Sequence, residues 1–188
     1  NHYFFKNRYA EAIEAFELAP IGLVNKNSRA DVAFKLGYSY FQLKDYAAAA
    51  SYFDQVKELT LPLAADALYY SGYIAMEQRN SQQAIRELQL AEKSEFYATK
   101  VPYLLTSLYY EEGNYAEAIG YATPLLASGK SFDQQESIHL FLAESHYALK
   151  DFRNAADQYN SFISFKTDEL SKEEYYKAGI SFFETKNY

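Results

Sequence analysis

Residues 36–56 read LGYSYFQLKDYAAAASYFDQV, and this stretch decides the fold. Its apolar residues recur at spacings of three and four, which predicts helices and not strands. The pair Lys44-Asp45 interrupts the pattern, and an aspartate at such a break can cap the helix that follows. The stretch therefore predicts two short helices joined by a tight turn.

Parts of this stretch return along the chain. An aromatic residue, an alanine three positions later and a large residue four beyond that occur at Tyr46, Ala49 and Phe53. Full or weaker copies of this phrase follow one another at intervals of 34 to 37 residues, which indicates a repeat protein. The other copies begin at Tyr9, Ser81, Tyr115 and Phe152, and Tyr188 would open a further one.

A second recurring position lies twelve residues before the alanine of the phrase. It is occupied in chain order by Gly37, Gly72, Thr106, Ala143 and Gly179. A glycine inside a helix costs about 1 kcal/mol relative to alanine, so its recurrence needs a packing reason. We expect two helix backbones to approach closely there, with the alanine of the phrase as the small residue that faces the glycine.

The period divides the chain into units of two helices. The second helix of a first unit is predicted near 9–19, complete units near 30–60, 65–93, 99–128 and 136–166, and the first helix of a sixth unit near 172–185. We expect these units to form a single array over residues 1–188, cut from a longer protein, because the chain starts without Met and stops where a helix should begin.

Capping residues mark the predicted helix starts. The turns equivalent to Lys44-Asp45 are Arg79-Asn80, Gly113-Asn114, Lys150-Asp151 and Lys186-Asn187, where Asp or Asn can cap the second helix. Ser28-x-x-Asp31 and Ser171-x-x-Glu174 resemble capping boxes at the start of a unit. Pro124 lies inside a predicted helix and should bend it at Gly120, because proline lacks a backbone donor and crowds the preceding turn.

The period, the paired helices and two phrases together resemble the tetratricopeptide repeat family. The phrases are Leu36-Gly37-x-x-Tyr40 and Ala49-x-x-x-Phe53, and the resemblance covers the whole chain. It implies an all-α fold, a right-handed α-solenoid of antiparallel helix hairpins, whose first helices line a concave groove. It also implies binding of proteins or peptides without catalysis.

The composition argues against several other classes of protein. A net charge of −7 disfavours nucleic acid as a partner, because phosphate binding needs a basic surface. With no cysteine, the chain has no disulfide, zinc–thiolate site or cysteine nucleophile. No uncharged stretch is long enough for a membrane span. These features leave the compartment open between the cytoplasm and a bacterial periplasm or envelope.

Two short motifs could carry chemistry, and both are explained better by packing or solvent exposure. Gly129-Lys130-Ser131 resembles the end of a phosphate-binding loop, but the preceding glycine and strand that such a loop needs are missing. His139 and His146 share a helix face with Glu144 nearby, but metal ligands on a helix normally lie three or four residues apart. We therefore expect no enzyme activity, no metal and no cofactor.

The resemblance places five positions of each first helix in the groove. The Lys and Asn with which chaperone-adaptor members hold a C-terminal carboxylate are absent from these positions, so chaperone tails are not expected to bind. Aromatic residues dominate instead, and the alternative explanation is that many of them only seal neighbouring helices. The predicted groove residues are Phe34, Tyr38, Phe41, Tyr69, Tyr73, Met76, Tyr103, Tyr110 and Tyr147, with Asp31, Asp66, Glu77, Glu111 and Glu144 at or near the rim.

Two functions follow from this interpretation. The first is a scaffold that binds a protein or peptide segment with basic or neutral residues beside aromatic or aliphatic anchors, since the rim is acidic. The alternative is a structural module of a larger complex, for example in a bacterial envelope, that acts through the array ends or the convex face. The last predicted helix is apolar on more than one face, which favours self-association. Its apolar residues are Tyr175, Ala178 and Phe182, and also Tyr176, Ile180 and Phe183.

Overall fold

The computed structural model describes residues 2–18, 25–59, 62–166 and 169–185. Within these ranges the regular structure is helical and no strand occurs, which confirms the predicted all-α solenoid class. The helices of the described part are α1 (His2–Phe5), α2 (Tyr9–Glu17), α3 (Lys26–Gln42), α4 (Tyr46–Lys57), α5 (Leu63–Glu77), α6 (Ser81–Ala91), α7 (Val101–Glu111), α8 (Tyr115–Ala127), α9 (Gln135–Ala148), α10 (Phe152–Phe165) and α11 (Lys172–Glu184).

The helices belong to two compact units, Asn1–Tyr97 and Ala98–Tyr188. In the first unit, α3 packs on α4, α4 on α5 and α5 on α6. In the second unit, α7 packs on α8, α8 on α9, α9 on α10 and α10 on α11. Each unit therefore contains successive helix hairpins, and the assignment of both to a single array stays a prediction.

The phrase of the repeat supplies the core of each hairpin. Its alanine is fully buried in four of the sequence repeats, at Ala49, Ala84, Ala118 and Ala155. The large residue that follows it is also fully buried at Phe53, Leu88 and Tyr159. Burial of one such large side chain contributes roughly 1.5–3 kcal/mol, so the phrase holds each pair of helices together.

The turns inside the hairpins follow one pattern. A residue with left-handed backbone precedes the second helix at Lys44, Arg79, Gly113 and Lys150. Asp45 Oδ1 then accepts a hydrogen bond from the Ala48 amide at 3.1 Å, and the side chains at 80 and 151 cap their helices in the same way. The predicted cap at Asn114 is wrong, because its side chain makes no capping hydrogen bond. The predicted cap at Asn187 lies outside the described residues.

The two predicted capping boxes have different outcomes. The box at Ser171 is confirmed: the Glu174 amide donates to Ser171 Oγ at 3.2 Å, and the Ser171 amide donates to Glu174 Oε2 at 2.6 Å. The box at Ser28 is wrong. Helix α3 begins earlier, and Asn25 Oδ1 accepts from the Ser28 amide at 2.9 Å, so Ser28 lies in the first turn.

The recurring glycine position has the close packing that the repeat predicts, although the facing residue differs. A Cβ atom on Gly37 would lie 2.9 Å from the ring of Phe53, and one on Gly72 would lie 2.9 Å from Leu88 Cγ. The nearest neighbour is thus the large third residue of the phrase and not its alanine. The large side chain fills the space that the glycine leaves, and this corrects the prediction.

Helix α8 continues through Pro124 without losing its helical backbone. Gly120 is exposed, and a Cβ atom there would meet no atom of the described structure within 4 Å. Room for a side chain at Gly120 means that packing does not require the glycine. The bend of the helix axis at this point stays a prediction.

Candidate functional site

All nine predicted groove residues are half-buried. They lie on the first helices of the hairpins, on α3 and α5 in the first unit and on α7 and α9 in the second. A half-buried ring packs against a neighbouring helix with part of its surface and leaves the rest accessible. The rings are therefore neither core residues nor isolated surface residues, and the structure assigns both packing and accessible area to them.

In the first unit, rings from α3 and α5 form one connected cluster. Tyr38 lies 5.2 Å from Tyr70 between ring centroids, and Phe41 lies 5.1 Å from the same ring. Phe41 also meets Tyr73 edge-to-face at 5.6 Å. Edge-to-face and tilted pairs at such distances add to the apolar burial of the rings, so the cluster fixes α3 against α5.

Tyr97, which follows α6 in the chain, extends this cluster and forms a hydrogen bond with Asp66. Its ring stacks on Tyr69 with centroids 4.5 Å apart, and its hydroxyl donates to Asp66 Oδ1 at 2.6 Å. Burial, followed by the hydrogen bond to Asp66, raises the pKa of Tyr97 above the ordinary value of a phenol. Tyr97 therefore stays protonated at neutral pH and keeps the Asp66 carboxylate in place.

A cavity of about 400 Å³ opens beside this cluster within the first unit. Eight aromatic side chains form most of its wall, and Asn7 and Asp66 supply polar groups. The aromatic wall residues are Phe4, Phe5, Tyr9, Phe34, Tyr38, Tyr70, Phe96 and Tyr97. We call this space the aromatic cavity.

In the second unit, the predicted groove residues contact the next helices of that unit. Tyr103 and Tyr110 lie 6.1 Å and 5.2 Å from the ring of Phe141 on α9. Tyr147 meets Phe152 edge-to-face at 5.7 Å, across the turn between α9 and α10. The aromatic residues on the first helices of this unit therefore also pack against neighbouring helices.

Glu144 is the centre of a polar network and not an exposed rim residue. It is only 9% exposed, and its Oε1 accepts from the Tyr159 hydroxyl at 2.8 Å. Its Oε2 forms an ion pair with Lys177 on α11. Burial acts to lower the pKa of Lys177, but the hydrogen bonds to Glu144 and Glu173 outweigh it and hold that pKa above its ordinary value.

A second, smaller cavity of about 270 Å³ lies over this network. Tyr110, Leu140 and Phe141 form its apolar wall, and Glu144, Glu173 and Lys177 contribute charges. Lys177 bridges the two carboxylates, with its Nζ 2.7 Å from Glu173 Oε1. Glu174 also lines this cavity, so the single lysine faces three carboxylates and the cavity keeps an acidic character.

The other predicted rim residues differ in exposure. Asp31 is half-buried and pairs with Lys35 Nζ at 2.6 Å. Glu77 and Glu111 are exposed at the last residues of α5 and α7. Met76 lies half-buried one residue before Glu77. The assignment of these acidic residues to the rim of a groove stays a prediction.

Sequence reasoning missed three residues that share one repeat position. Tyr70, Phe141 and Lys177 each follow the second groove position of their helix, and each contacts a groove residue or Glu144. The groove register assigned no role to this position. The recurrence of large side chains there is the signal that could have found them.

The two histidines make ordinary hydrogen bonds. His139 Nδ1 lies 2.8 Å from Gln158 Oε1, and His146 Nδ1 lies 3.0 Å from Asp151 Oδ2. Within the described ranges, no three His, Asp, Glu or Cys side chains come together as metal ligands would. No helix of the described structure has the length and apolar character to cross a membrane.

Comparison with known proteins identifies the family. A sequence model described as tetratricopeptide repeat matches residues 1–60, 34–98 and 103–168. The crystal structure of the C-terminal part of a TPR repeat-containing protein from Cytophaga hutchinsonii is similar in fold, with a TM-score of 0.72 and 19% sequence identity over 96% of this chain and 67% of that chain. A search of the curated proteins found no match. The repeat period, the helix hairpins and the family match agree: this chain belongs to the tetratricopeptide repeat family.

Proposed function

We propose that the chain is a non-catalytic interaction scaffold that binds a protein or peptide segment along the aromatic residues of its first helices. The observation that carries this proposal is that all nine predicted groove side chains are half-buried. Tyrosine suits such a surface, because it offers a large apolar ring and a hydroxyl at the cost of few frozen torsions. Members of the family generally mediate protein–protein interactions or act as scaffolds.

Charge restricts the partner. The chain carries a net charge of −7, and exposed Glu77 and Glu111 lie at the ends of two first helices. Negative potential beside the aromatic residues favours a segment with lysine or arginine next to its apolar anchors, and it disfavours acidic segments. Open surfaces on a repeat protein suit an extended or helical segment better than a small metabolite.

Site-specific photo-crosslinking tests this proposal. A benzophenone amino acid replaces Tyr73 on α5 in one variant and Leu90 on α6 in a control variant, because Leu90 is exposed on a second helix. We expect the crosslinker at position 73 to capture one defined segment of a partner and the crosslinker at position 90 not to capture it. Equal capture from both positions, or capture from position 90 alone, would contradict the proposal.

A second candidate function is assembly with further copies or other subunits. Helix α11 favours it, because Tyr175, Tyr176 and Phe183 are each more than 60% exposed on that helix. Exposed aromatic residues that recur on one helix face are typical of a surface that another element covers. This structural role does not conflict with segment binding on the first helices.

A further inference from the structure

We propose that the aromatic cavity of the first unit is a binding site for a cationic side chain, lysine or arginine, of a partner segment, with Asp66 as its counter-ion. The inference rests on the proposed function for its source of the cation, but the site is defined by its own chemistry. Three observations carry it: an aromatic wall, a single carboxylate, and a cation already placed against one of the wall rings.

The wall of the cavity offers aromatic ring faces, to which an organic cation can bind. Eight aromatic side chains surround the cavity, and the faces of such rings attract ammonium and guanidinium groups that lie within about 6 Å. One wall ring already shows this behaviour, since Lys35 Nζ lies 5.7 Å from the ring centroid of Phe5. Lys35 is not among the described wall residues, and its Nζ pairs with Asp31 at 2.6 Å.

Asp66 gives the cavity its charge. Among the described wall residues it is the one with an acidic or basic side chain other than a phenol, and it is half-buried. The Tyr97 hydroxyl holds Oδ1 at 2.6 Å, so the carboxylate has a fixed orientation. Burial also raises the pKa of Tyr97 and of Tyr70, so these two phenols add no charge to the cavity at neutral pH.

Other ligand classes fit the cavity less well. An anion would be repelled by the Asp66 carboxylate, and the part of the wall that the structure describes has no lysine or arginine to compensate. A hard metal ion needs several oxygen ligands from carboxylates or carbonyl groups, and the wall offers one carboxylate and one side-chain amide. A purely apolar group would leave the Asp66 charge uncompensated in partly desolvated surroundings. A long side chain with an apolar stem and a cationic head satisfies both the rings and the carboxylate.

Matched short peptides test the site on the full chain. The probes are acetylated, amidated pentapeptides of glycine with a central arginine, lysine, citrulline or norleucine, titrated while the aromatic NMR signals of Tyr9 and Phe34 are followed. We expect the arginine and lysine peptides to shift these signals saturably, and the neutral citrulline and norleucine peptides to bind at least about fivefold more weakly.

Charge variants complete the test. Asp66→Asn keeps a hydrogen-bond acceptor for Tyr97 and removes the charge. The arginine and lysine peptides should therefore bind this variant at least about fivefold more weakly. Glu58→Gln removes the same charge at an exposed residue at the end of α4, outside the cavity, and should change binding less than about twofold.

Each other result has a definite meaning. Equal binding of arginine and citrulline peptides, or equal effects of Asp66→Asn and Glu58→Gln, would overturn the site. Tetramethylammonium is titrated as a further probe. If it binds and neither cationic peptide does, the claim that the cavity binds a lysine or arginine side chain is wrong. If the peptides bind as expected but crosslinking from position 73 captures no segment, the proposed function fails while the cation site stands.

Discussion

At the scale of single residues, three glycines occupy one repeat position in different surroundings. A Cβ atom on Gly37 or Gly72 would lie 2.9 Å from a buried side chain of the facing helix, whereas one on Gly179 would meet nothing within 4 Å. We expect Gly37→Ala and Gly72→Ala to lower the free energy of unfolding by about 1–3 kcal/mol through overpacking. Gly179→Ala should raise it by up to about 1 kcal/mol, because alanine favours the helix.

Urea unfolding followed by circular dichroism measures these changes. Gly179→Ala is the internal control, since it makes the same substitution at the same repeat position without the facing side chain. Similar effects of all three substitutions would show that the packing argument is wrong.

The buried carboxylate of Glu144 makes a second prediction at this scale. Glu144→Gln keeps an acceptor for Tyr159 but removes the charge that pairs with Lys177. We expect the free energy of unfolding to fall by about 1–3 kcal/mol. Glu173→Gln, at a 74% exposed side chain that pairs with the same lysine, should cost less than about 0.5 kcal/mol. Chemical denaturation of the two variants decides the matter, and equal losses would contradict the account.

At the scale of elements, the capping residues of the second helices provide a matched pair. Asp45 accepts a hydrogen bond from the Ala48 amide, whereas Asn114 makes no capping hydrogen bond. Asp45→Ala should therefore destabilise its hairpin by about 1 kcal/mol, and Asn114→Ala should cost clearly less, about 0.5 kcal/mol or below. Thermal melts of both variants measure the difference, and a larger loss at Asn114 would refute the assignment.

The helices were largely predictable because the repeat exposes their pattern several times. A 3/4 spacing and a recurring turn placed the hairpins, and Ser171-x-x-Glu174 marked the start of α11. The box at Ser28 failed because the polar run Asn25-Lys26-Asn27-Ser28 offers more than one capping residue, and Asn25 caps α3. Local sequence does not decide among neighbouring caps when each can reach an amide of the first turn.

The candidate site was predictable only in part. The register identified residues that prove to be half-buried on the first helices, but it missed Tyr70, Phe141 and Lys177. It also placed Glu144 at the rim, where the structure has it buried. These contacts form between helices that are 30 or more residues apart in sequence, and the partner of a side chain at that distance depends on packing that no local pattern contains.

At the scale of the whole molecule, we expect stability to decline in alkaline solution. Burial raises the pKa of Tyr70, Tyr97 and Tyr159, and hydrogen bonds to carboxylates raise that of Lys177. The folded chain therefore keeps protons that the unfolded chain releases near pH 10. These contributions are fully present below that pH and are lost as the pH rises toward the folded-state values.

The urea midpoint should thus be nearly constant from pH 8 to about 9.5 and fall above about pH 10. Each group lowers the free energy of unfolding by at most about 1.4 kcal/mol per pH unit. Tyr159→Phe removes one titrating group at a fully buried site and should reduce the slope. A midpoint that stays flat or rises up to pH 11 would contradict the assignment of these groups.

Helix α11 leads to a prediction about association. Tyr175, Tyr176 and Phe183 are exposed, so the chain should show concentration-dependent association in sedimentation velocity. Changing Tyr176 and Phe183 to serine should reduce the association, and Leu90→Ser, at a 47% exposed residue on α6, should not. A strict monomer at high protein concentration would exclude this role for α11.

The central claim is that the aromatic residues of the first helices bind a protein segment, and an affinity measurement tests it most directly. The segment captured from position 73 is synthesised and titrated into the original chain, into Tyr69→Ala with Tyr73→Ala, and into Leu90→Ala. Hot-spot residues commonly contribute 2 kcal/mol or more, so the double variant should bind at least about 30-fold more weakly while its circular dichroism stays helical. Leu90→Ala should bind within about twofold of the original chain. Unchanged affinity of the double variant, with its helical structure intact, would contradict the claim.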